Sequence, residues 1–532
     1  MPVLPTGIVL CVAAFTAVYA FNDAGAIHPP PLASTHAAVH NGPLASISVT
    51  GTHYEVGYAI GARFASMIAD RWAIDPGMEA LYAWAMSNAT LTSYNQSWYA
   101  ATKRQFPFLL DELRGVADGS GLGFSRIWFM TTQHEVSAAH QAFVEQSGST
   151  PVPPPDRLVG HCTDVRSDVP TGSPLWGHNE DSDIADANHT YLVFAKVVDG
   201  FDRTRVLENF TSYSYAGTVA GVAYGWNHHG LIVSLNALFS RLANLDRSMN
   251  TNALPRGIIN RALYAERTVH DATRKLLSLR SVVSFSANVG HFNESSSFAG
   301  DDDRFVNVEV DPMGAFSVTK STHRVFPSTD GAPFFHGLRN YLYHANEYLW
   351  LTTAQFNDTS SAWRIKRLNE LQPPQTEAAV RAMLGDTHYP AWPVYRDGLN
   401  GILTLSTAMF DIANRRVVLY NGNPMTADPI AVVPVVLTAP PHGEEKPQGL
   451  HRFVRAGTAM FRSFGFAGCV ILAGVQCVLV TAAFLLGRGA LPSSNRHRHD
   501  CTDDEHIPAL FGAASSCTGG HRVAKAHPFD DA

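Results

Sequence analysis

Cys162 is the one cysteine between two hydrophobic segments near the ends of the chain. Cys11 falls within the first segment, Cys469 and Cys477 within the second, and Cys501 and Cys517 follow it. A region with a single thiol cannot close an internal disulfide. Such a thiol is either an inert buried cysteine or one kept for chemistry, and counting alone leaves both open. The chemistry open to it is nucleophilic. If the chain is cut just before Cys162, the residue gains a free α-amine that titrates at about 7.7–8.0. That amine can take the thiol proton without a histidine base. The thiolate can then attack an amide or acyl carbonyl, with asparagine side chains to stabilise the oxyanion and a buried Arg–Asp pair to fix the amine and substrate. Other chemistries have less support. His178, His228 and His229 lack His-x-x-x-His or paired-carboxylate spacing and read as surface or turn histidines, so no metal and no cofactor are expected. Ser167 and Ser173 lack a Gly-x-Ser-x-Gly frame, which argues against a serine triad.

The elements around Cys162 must position it. Helical apolar spacing runs through Glu55 to Trp72, Tyr99 to Ala117 and Ser125 to Phe143. Ser147 to Pro155, ending in three prolines, reads as a linker or exposed loop. From Cys162 onward the pattern changes to strands. Cys162 to Arg166 is short and extended, Pro170 to Ser173 is a turn, and Leu175 to Asn179 returns, which brings Asn179 and Asp181 back alongside Cys162. Strands are expected over His189 to Val198, Ala220 to Trp226 and Leu231 to Leu235, the last two joined by the turn Asn227 to Gly230. Helices are expected over Leu254 to Leu277, Phe335 to Leu351 and Ala362 to Leu371. A closing hairpin runs from Thr404 to Ile412 and Arg416 to Tyr420. Strands and helices in this order, without regular βαβ alternation, make the fold class α+β.

The chain has 532 residues, 45% of them apolar and 16% charged, enough to bury a sizeable core. Its formal net charge of -7 argues against nucleic acid as a partner. Ile8 to Tyr19 has the length of a signal-peptide core, so residues 1–26 are expected to be a signal peptide. Phe464 to Leu486 carries no charge and at about 1.5 Å per residue is long enough to cross a bilayer. These segments predict a lumenal or extracellular domain over 27–455, a transmembrane helix over 463–487 in contact with membrane lipid, and a disordered cytoplasmic tail over 488–532. The expectation is thus a single-pass type I membrane protein. Asn88, Asn95, Asn188, Asn209, Asn293 and Asn357 each head an Asn-x-Ser/Thr triplet, and all six lie between the two hydrophobic segments, as glycosylation sites of a secreted domain would.

Several stretches also resemble, in order, one enzyme family. His161 to Asp164 followed by Leu175 to Asp181, Gly51 to Gly57 with Gly61, Leu109 to Leu122, Gly225 to Asn236, Ser286 to Asn288, His344 to Asn346, Ser361 to Arg364 and Asn421 to Pro424 resemble the acyl-coenzyme A:isopenicillin N (6-aminopenicillanic acid) acyltransferase family of cysteine Ntn hydrolases. The resemblance implies a four-layer αββα sandwich of the Ntn-hydrolase kind. It implies self-cleavage between His161 and Cys162, leaving two associated fragments. It implies that Cys162 is the nucleophile and that Asp181 orients the new amine or an arginine. Asn236 or Asn288, or both, would stabilise the tetrahedral intermediate, and Arg364 would hold the polar network or a substrate carboxylate. The expected activity is that of an amidohydrolase or acyltransferase acting on a small amide or acyl substrate through a thioester. The alternatives are a bile-acid or fatty-acid amidase and a catalytically inactive, receptor-like ectodomain.

Overall fold

Strand Leu231–Ala237 shows how the chain builds its layers. Every residue of it is buried, and its two faces go to different places. Leu231, Val233 and Leu235 join a core shared with helices, while Ile232 joins a second core between two sheets. This period-2 division of a strand buried on both faces recurs through the molecule. The computed structural model describes residues 44–147, 161–167, 173–240, 252–292, 305–320, 325–326, 341–356 and 358–438.

The first half is helical after one strand. β1 (Ser46–Gly51) leads into α1 (His53–Arg63), α2 (Ala65–Ile74), α3 (Pro76–Ser87), α4 (Ala89–Gln105), α5 (Pro107–Ser120), α6 (Phe124–Thr131) and α7 (Gln133–Ser147). Then come β2 (Thr163–Ser167), β3 (Leu175–Asp183), β4 (Thr190–Val198), β5 (Val206–Tyr215), β6 (Tyr224–Asn227) and β7 (Leu231–Ala237). Helices α8 (Arg256–Leu263) and α9 (Val269–Ser278) precede β8 (Phe285–His291), β9 (Phe305–Val310), β10 (Phe316–Lys320), β11 (Val325–Phe326) and β12 (Tyr341–His344). α10 (Thr359–Glu370) and α11 (Glu377–Leu384) come before β13 (Ile402–Asp411), β14 (Arg416–Tyr420) and β15 (Ala431–Pro434).

The strands form two sheets. One runs β1-β4-β5-β6-β7-β8-β9-β10-β11 and the other β12-β2-β3-β13-β14-β15. Among the described strands only the β1–β4 pair is parallel. Trp176, Leu405 and Phe410 of the second sheet meet Tyr213, Tyr224 and Ile232 of the first in a shared core. The outer face of the first sheet packs on Val56, Ile60, Leu109 and Leu113 of the helices. The outer face of the second packs, through Val165, Met409 and Val418, on Leu368 of α10 and Val380 and Met383 of α11. The order of layers is therefore helices, sheet, sheet, helices.

Four glycines set the closest helix contact. A Cβ on Gly57 of α1 would stand 1.9 Å from the carbonyl oxygen of Glu112 in α5, and one on Gly115 would stand 2.1 Å from that of Tyr54. Gly61 and Gly119 face the partner backbone in the same way. This approach lets Glu112 reach Arg261 of α8, which donates to it at 2.7 Å and to Glu208 of β5 at 2.6 Å. Burial pushes the Glu112 carboxyl up, but Arg261 and His53 outweigh it and hold the group down at about 2.

Several expectations are corrected. Among the described residues no helix is long and apolar enough to cross a membrane. That finding goes against the C-terminal transmembrane helix, the membrane-lipid contact and the type I localisation expected from the sequence. The expected span itself, 463–487, lies outside the described residues, as do the expected signal peptide and tail. The helix expected over Phe335 to Leu351 is not one: Tyr341–His344 is a strand paired with β2. The helix expected from Glu55 to Trp72 breaks at Phe64 into α1 and α2. Of the six sequons, Asn95 is buried and accepts a 2.8 Å hydrogen bond from the Trp128 indole, which leaves no room for a glycan there. Asn88 caps α4, Asn188 is exposed in a turn and Asn209 is half-buried in β5. Asn293 and Asn357 lie outside the described residues.

Because a Cβ at residue 57 must push into backbone rather than a flexible side chain, Gly57→Ala is expected to cost about 1–3 kcal/mol or more. A fall in the denaturant midpoint with an unchanged slope would show it; an unchanged midpoint would refute the close contact.

Candidate active site

The β2–β3 hairpin pairs Thr163 with Asn179 and Asp164 with His178. Side chains alternate across it, so it presents two different sets. Cys162 and Asp164 share the face toward the first sheet with Trp176, His178 and Glu180. Thr163 and Val165 share the opposite face, toward α10 and α11, with Asn179 and Asp181.

On the inner face, the buried Cys162 thiol donates to Glu180 Oε2 at 3.5 Å. His178, which has no solvent exposure, bridges two carboxylates: Nδ1 lies 2.8 Å from Asp164 Oδ2 and Nε2 lies 2.9 Å from Glu180 Oε2. Tyr215 donates to Glu180 Oε1 at 2.5 Å. Asp164 is itself fixed by the Trp176 indole at 2.8 Å and by the Ser234 hydroxyl, from the other sheet, at 2.7 Å. Burial opposes charge on His178, but Asp164 outweighs it and holds the imidazole well above its usual value. Both ring nitrogens therefore carry protons and donate. Burial and the neighbouring Glu180 charge push the Cys162 thiol up to about 12. It is a neutral thiol at neutral pH.

On the outer face stands Arg364 of α10, fully buried. Its Nη1 donates to the carbonyl oxygens of His161 and Cys162, each at 2.9 Å, and to the Thr163 hydroxyl at 2.8 Å. Its Nη2 donates to Asn346 Oδ1 at 2.8 Å and to Ser361 at 3.0 Å. Asp181 accepts from Thr404 at 2.6 Å through Oδ1, while its buried Oδ2 has no hydrogen-bond partner among the described residues. Burial pushes the Asp181 carboxyl up to about 6. Arg396, also buried, shares Ser360 with Arg364.

Asn236 and Asn288 lie side by side on β7 and β8. Asn307 donates to Asn288 at 2.7 Å, and Asn288 donates to Asn236 Oδ1 at 2.8 Å. The relay leaves the buried Asn236 Nδ2 as a donor with nothing to bond among the described residues. Asn236 alternates with Leu235 and is on the face of Ser234, which reaches across to Asp164 beside the thiol.

A cavity of about 50 Å³ opens onto Cys162, with Arg71, Glu180, Asp186, Tyr215 and Arg256 among its lining residues. The Cys162 thiol, His178 and Glu180 place one ligand atom each within 4.8 Å of one another, but an imidazole protonated on both nitrogens offers no lone pair to a metal ion.

The site thus brings Cys162, Asp181 and Arg364 to one hairpin and Asn236 with Asn288 to the strand pair facing it. His178, read from the sequence as a surface or turn histidine, is instead buried in β3. His228 and His229 do sit in a half-buried turn, with ring centres 3.7 Å apart. Sequence reasoning missed Asp164, Glu180, Tyr215 and Arg396. The signal for the first two was the alternation itself: residues 176, 178 and 180 of one strand must share a face with 162 and 164 of the other.

His178 neutralises two buried carboxylates. Its contribution to stability is complete below the ordinary imidazole value of about 6.5 and is lost as pH rises through its raised folded-state value. His178→Asn is expected to cost about 3–5 kcal/mol at pH 6, because it leaves both carboxylates uncompensated. The difference from wild type should shrink at alkaline pH, and chemical denaturation across pH would reveal it; a pH-independent difference would refute the charged imidazole.

Residues 169–426 match the family model described as acyl-coenzyme A:6-aminopenicillanic acid acyl-transferase, a stretch that includes Asp181, Asn236, Asn288 and Arg364 and begins just after Cys162. The beta-alanyl-dopamine/carcinine hydrolase of Drosophila melanogaster is 28% identical over 399 residues, covering 73% of this chain and 95% of that protein. Over residues 169–426 the chain is thus similar to the acyl-coenzyme A:6-aminopenicillanic acid acyltransferase family.

Proposed function

We propose that this protein is a self-processing cysteine amidohydrolase that cleaves a small amide through a thioester on Cys162. The observation that carries the reading is the hydrogen bond from Arg364 to the carbonyl oxygen of His161. That carbonyl belongs to the peptide bond whose cleavage would free the Cys162 amine. A guanidinium held 2.9 Å from it is placed to take up negative charge as that carbonyl turns tetrahedral.

In the self-cleavage step, Glu180 accepts the thiol proton and Sγ attacks the His161 carbonyl carbon. The C–N bond to Cys162 breaks, its nitrogen is protonated to the α-amine, and water releases His161 as a new C-terminus. The fragment ending at His161 stays bound to the fragment beginning at Cys162. The unpartnered Asp181 Oδ2 supplies an acceptor for the new amine. In turnover the amine, titrating near neutrality, takes the thiol proton. The thiolate attacks the substrate carbonyl and the free Asn236 Nδ2 donates to the oxyanion. The leaving amine departs protonated, and water hydrolyses the thioester.

The family and the named activity of the Drosophila relative support an amide substrate. Beta-alanyl-dopamine and carcinine, named for that relative, are the first substrates to try. The small cavity, in which Met130, Val222 and Leu235 stand beside Arg71, Glu180 and Arg256, favours a compact amide over a bile-acid or fatty-acid amide, because a long acyl chain would not fit inside it.

Wild-type protein should separate on a denaturing gel into two pieces, the second with Cys162 at its N-terminus. Cys162→Ala should remain one chain and turn over nothing; a Cys162→Ala chain that is still cut there would sink the proposal. Asn236→Ala should lower kcat by about 10²–10³ with little change in KM, as removal of one oxyanion donor does. A loss carried by KM alone would place Asn236 outside the oxyanion site.

A further inference from the structure

Arg256 opens α8, directly after Pro255, and its backbone N–H is held by Glu135 Oε1 at 2.8 Å. The residue is only 8% exposed and lines the same cavity as Cys162. Its guanidinium differs from the other buried ones. Arg71, in the same cavity, is tied to Asp186 at 2.7 Å. Arg261 is tied to Glu112 and Glu208, and Arg364 to backbone carbonyls and side-chain acceptors. The Arg256 guanidinium has no hydrogen bond or ion pair among the described residues. Glu135 and Glu180 act on it only through their charge, and burial pulls its pKa down. A buried cation without a partner is costly unless something else supplies the counter-charge.

We propose that Arg256 is the specificity-determining residue of the cavity and that it binds a carboxylate carried by the substrate. The planar fork of a guanidinium matches a carboxylate in two parallel hydrogen bonds. Because thiol and guanidinium share one small cavity, that carboxylate stands a few bonds from the scissile carbonyl. The substrate class is therefore a small amide bearing a carboxylate, as an N-acyl amino acid or the monoamide of a dicarboxylic acid does. This rests on the hydrolase reading above and parts from the Drosophila relative's named substrates, neither of which carries a carboxylate.

The test uses the processed enzyme and two matched pairs. One is an N-acyl amino acid against its uncharged carboxamide; the other is a dicarboxylic acid monoamide against its uncharged diamide. Wild type should prefer the carboxylate member of at least one pair by about 10–100-fold in kcat/KM, mostly through KM. Arg256→Gln should abolish that preference and Arg256→Lys should restore part of it. The melting temperature of Arg256→Gln should hold or rise, because an unpaired buried charge has been removed. Equal losses for both members of every pair, or no preference in wild type, would overturn the proposal. Cleavage of none of the four would count against the hydrolase reading alone. Titration calorimetry with the same two carboxylates then decides on Arg256: binding by wild type that is lost in Arg256→Gln supports it, and equal or absent binding in both overturns it.

Discussion

Every donor of the Arg364 guanidinium points at a protein oxygen, and the geometry of the site follows from where those oxygens sit. Two belong to the backbone of His161 and Cys162, one to the Thr163 side chain and the rest to Asn346, Ser360 and Ser361. A charge so far from solvent is tolerable only when its hydrogen bonds are complete. Arg364 thus gathers the start of β2, the segment after β12 and the first turn of α10 around one point. The backbone at Cys162 is held by a charged fork, so the thiol hangs from a fixed anchor. The same bonds put a positive charge against the two carbonyls that flank the Cys162 nitrogen.

Alternation along β2 and β3 then separates the work. The thiol, His178 and Glu180 face inward, between the sheets. The backbone carbonyls, Arg364, Arg396 and Asp181 face outward, toward the helices. The groups that contact the thiol and the guanidinium that holds the backbone carbonyls thus lie on opposite sides of one strand. A shift of register by one residue would exchange the two sets and leave the thiol among guanidiniums. The inner set is pinned against such a slip by Trp176 and Ser234, which both donate to Asp164.

Much of this was legible in the sequence. The lone Cys162, the returning strand to Asp181 and the ordered blocks through Arg364 pointed to the β2–β3 hairpin, and α+β was readable from element order. The failures have physical causes. Glu180 and His178 were passed over because the return of the strand was noticed without its two-residue period. Asp181 pairs by backbone with His161, and its carboxylate faces away from the thiol. Tyr341–His344 was read as helix because its apolar run is too short to carry a period, and pairing with β2 decides its state. Gly57 and Gly115 were visible as glycines, but that each exists to admit the other helix required the packed pair. Arg396 and Arg256 had no local signal at all, since their surroundings come from segments distant in sequence.

Burial between the sheets bears on the proposed role of Cys162 as an N-terminal nucleophile. Low polarity and the Glu180 charge raise the Cys162 thiol to about 12, so the uncut chain carries almost no thiolate near neutrality. His178 does not serve as the base, because Asp164 keeps it protonated and both its nitrogens already donate. Glu180 is the remaining acceptor, and it is shared with Tyr215 and His178. A base that is good enough for one slow intramolecular cleavage is a poor one for repeated turnover. Under the proposed cleavage, an amine titrating near neutrality appears on the same residue as the thiol, beside an Asp181 oxygen that otherwise bonds nothing. Under that proposal the uncut protein is inactive for an electrostatic reason, and the cut activates it by adding a proton acceptor not already shared with Tyr215 and His178.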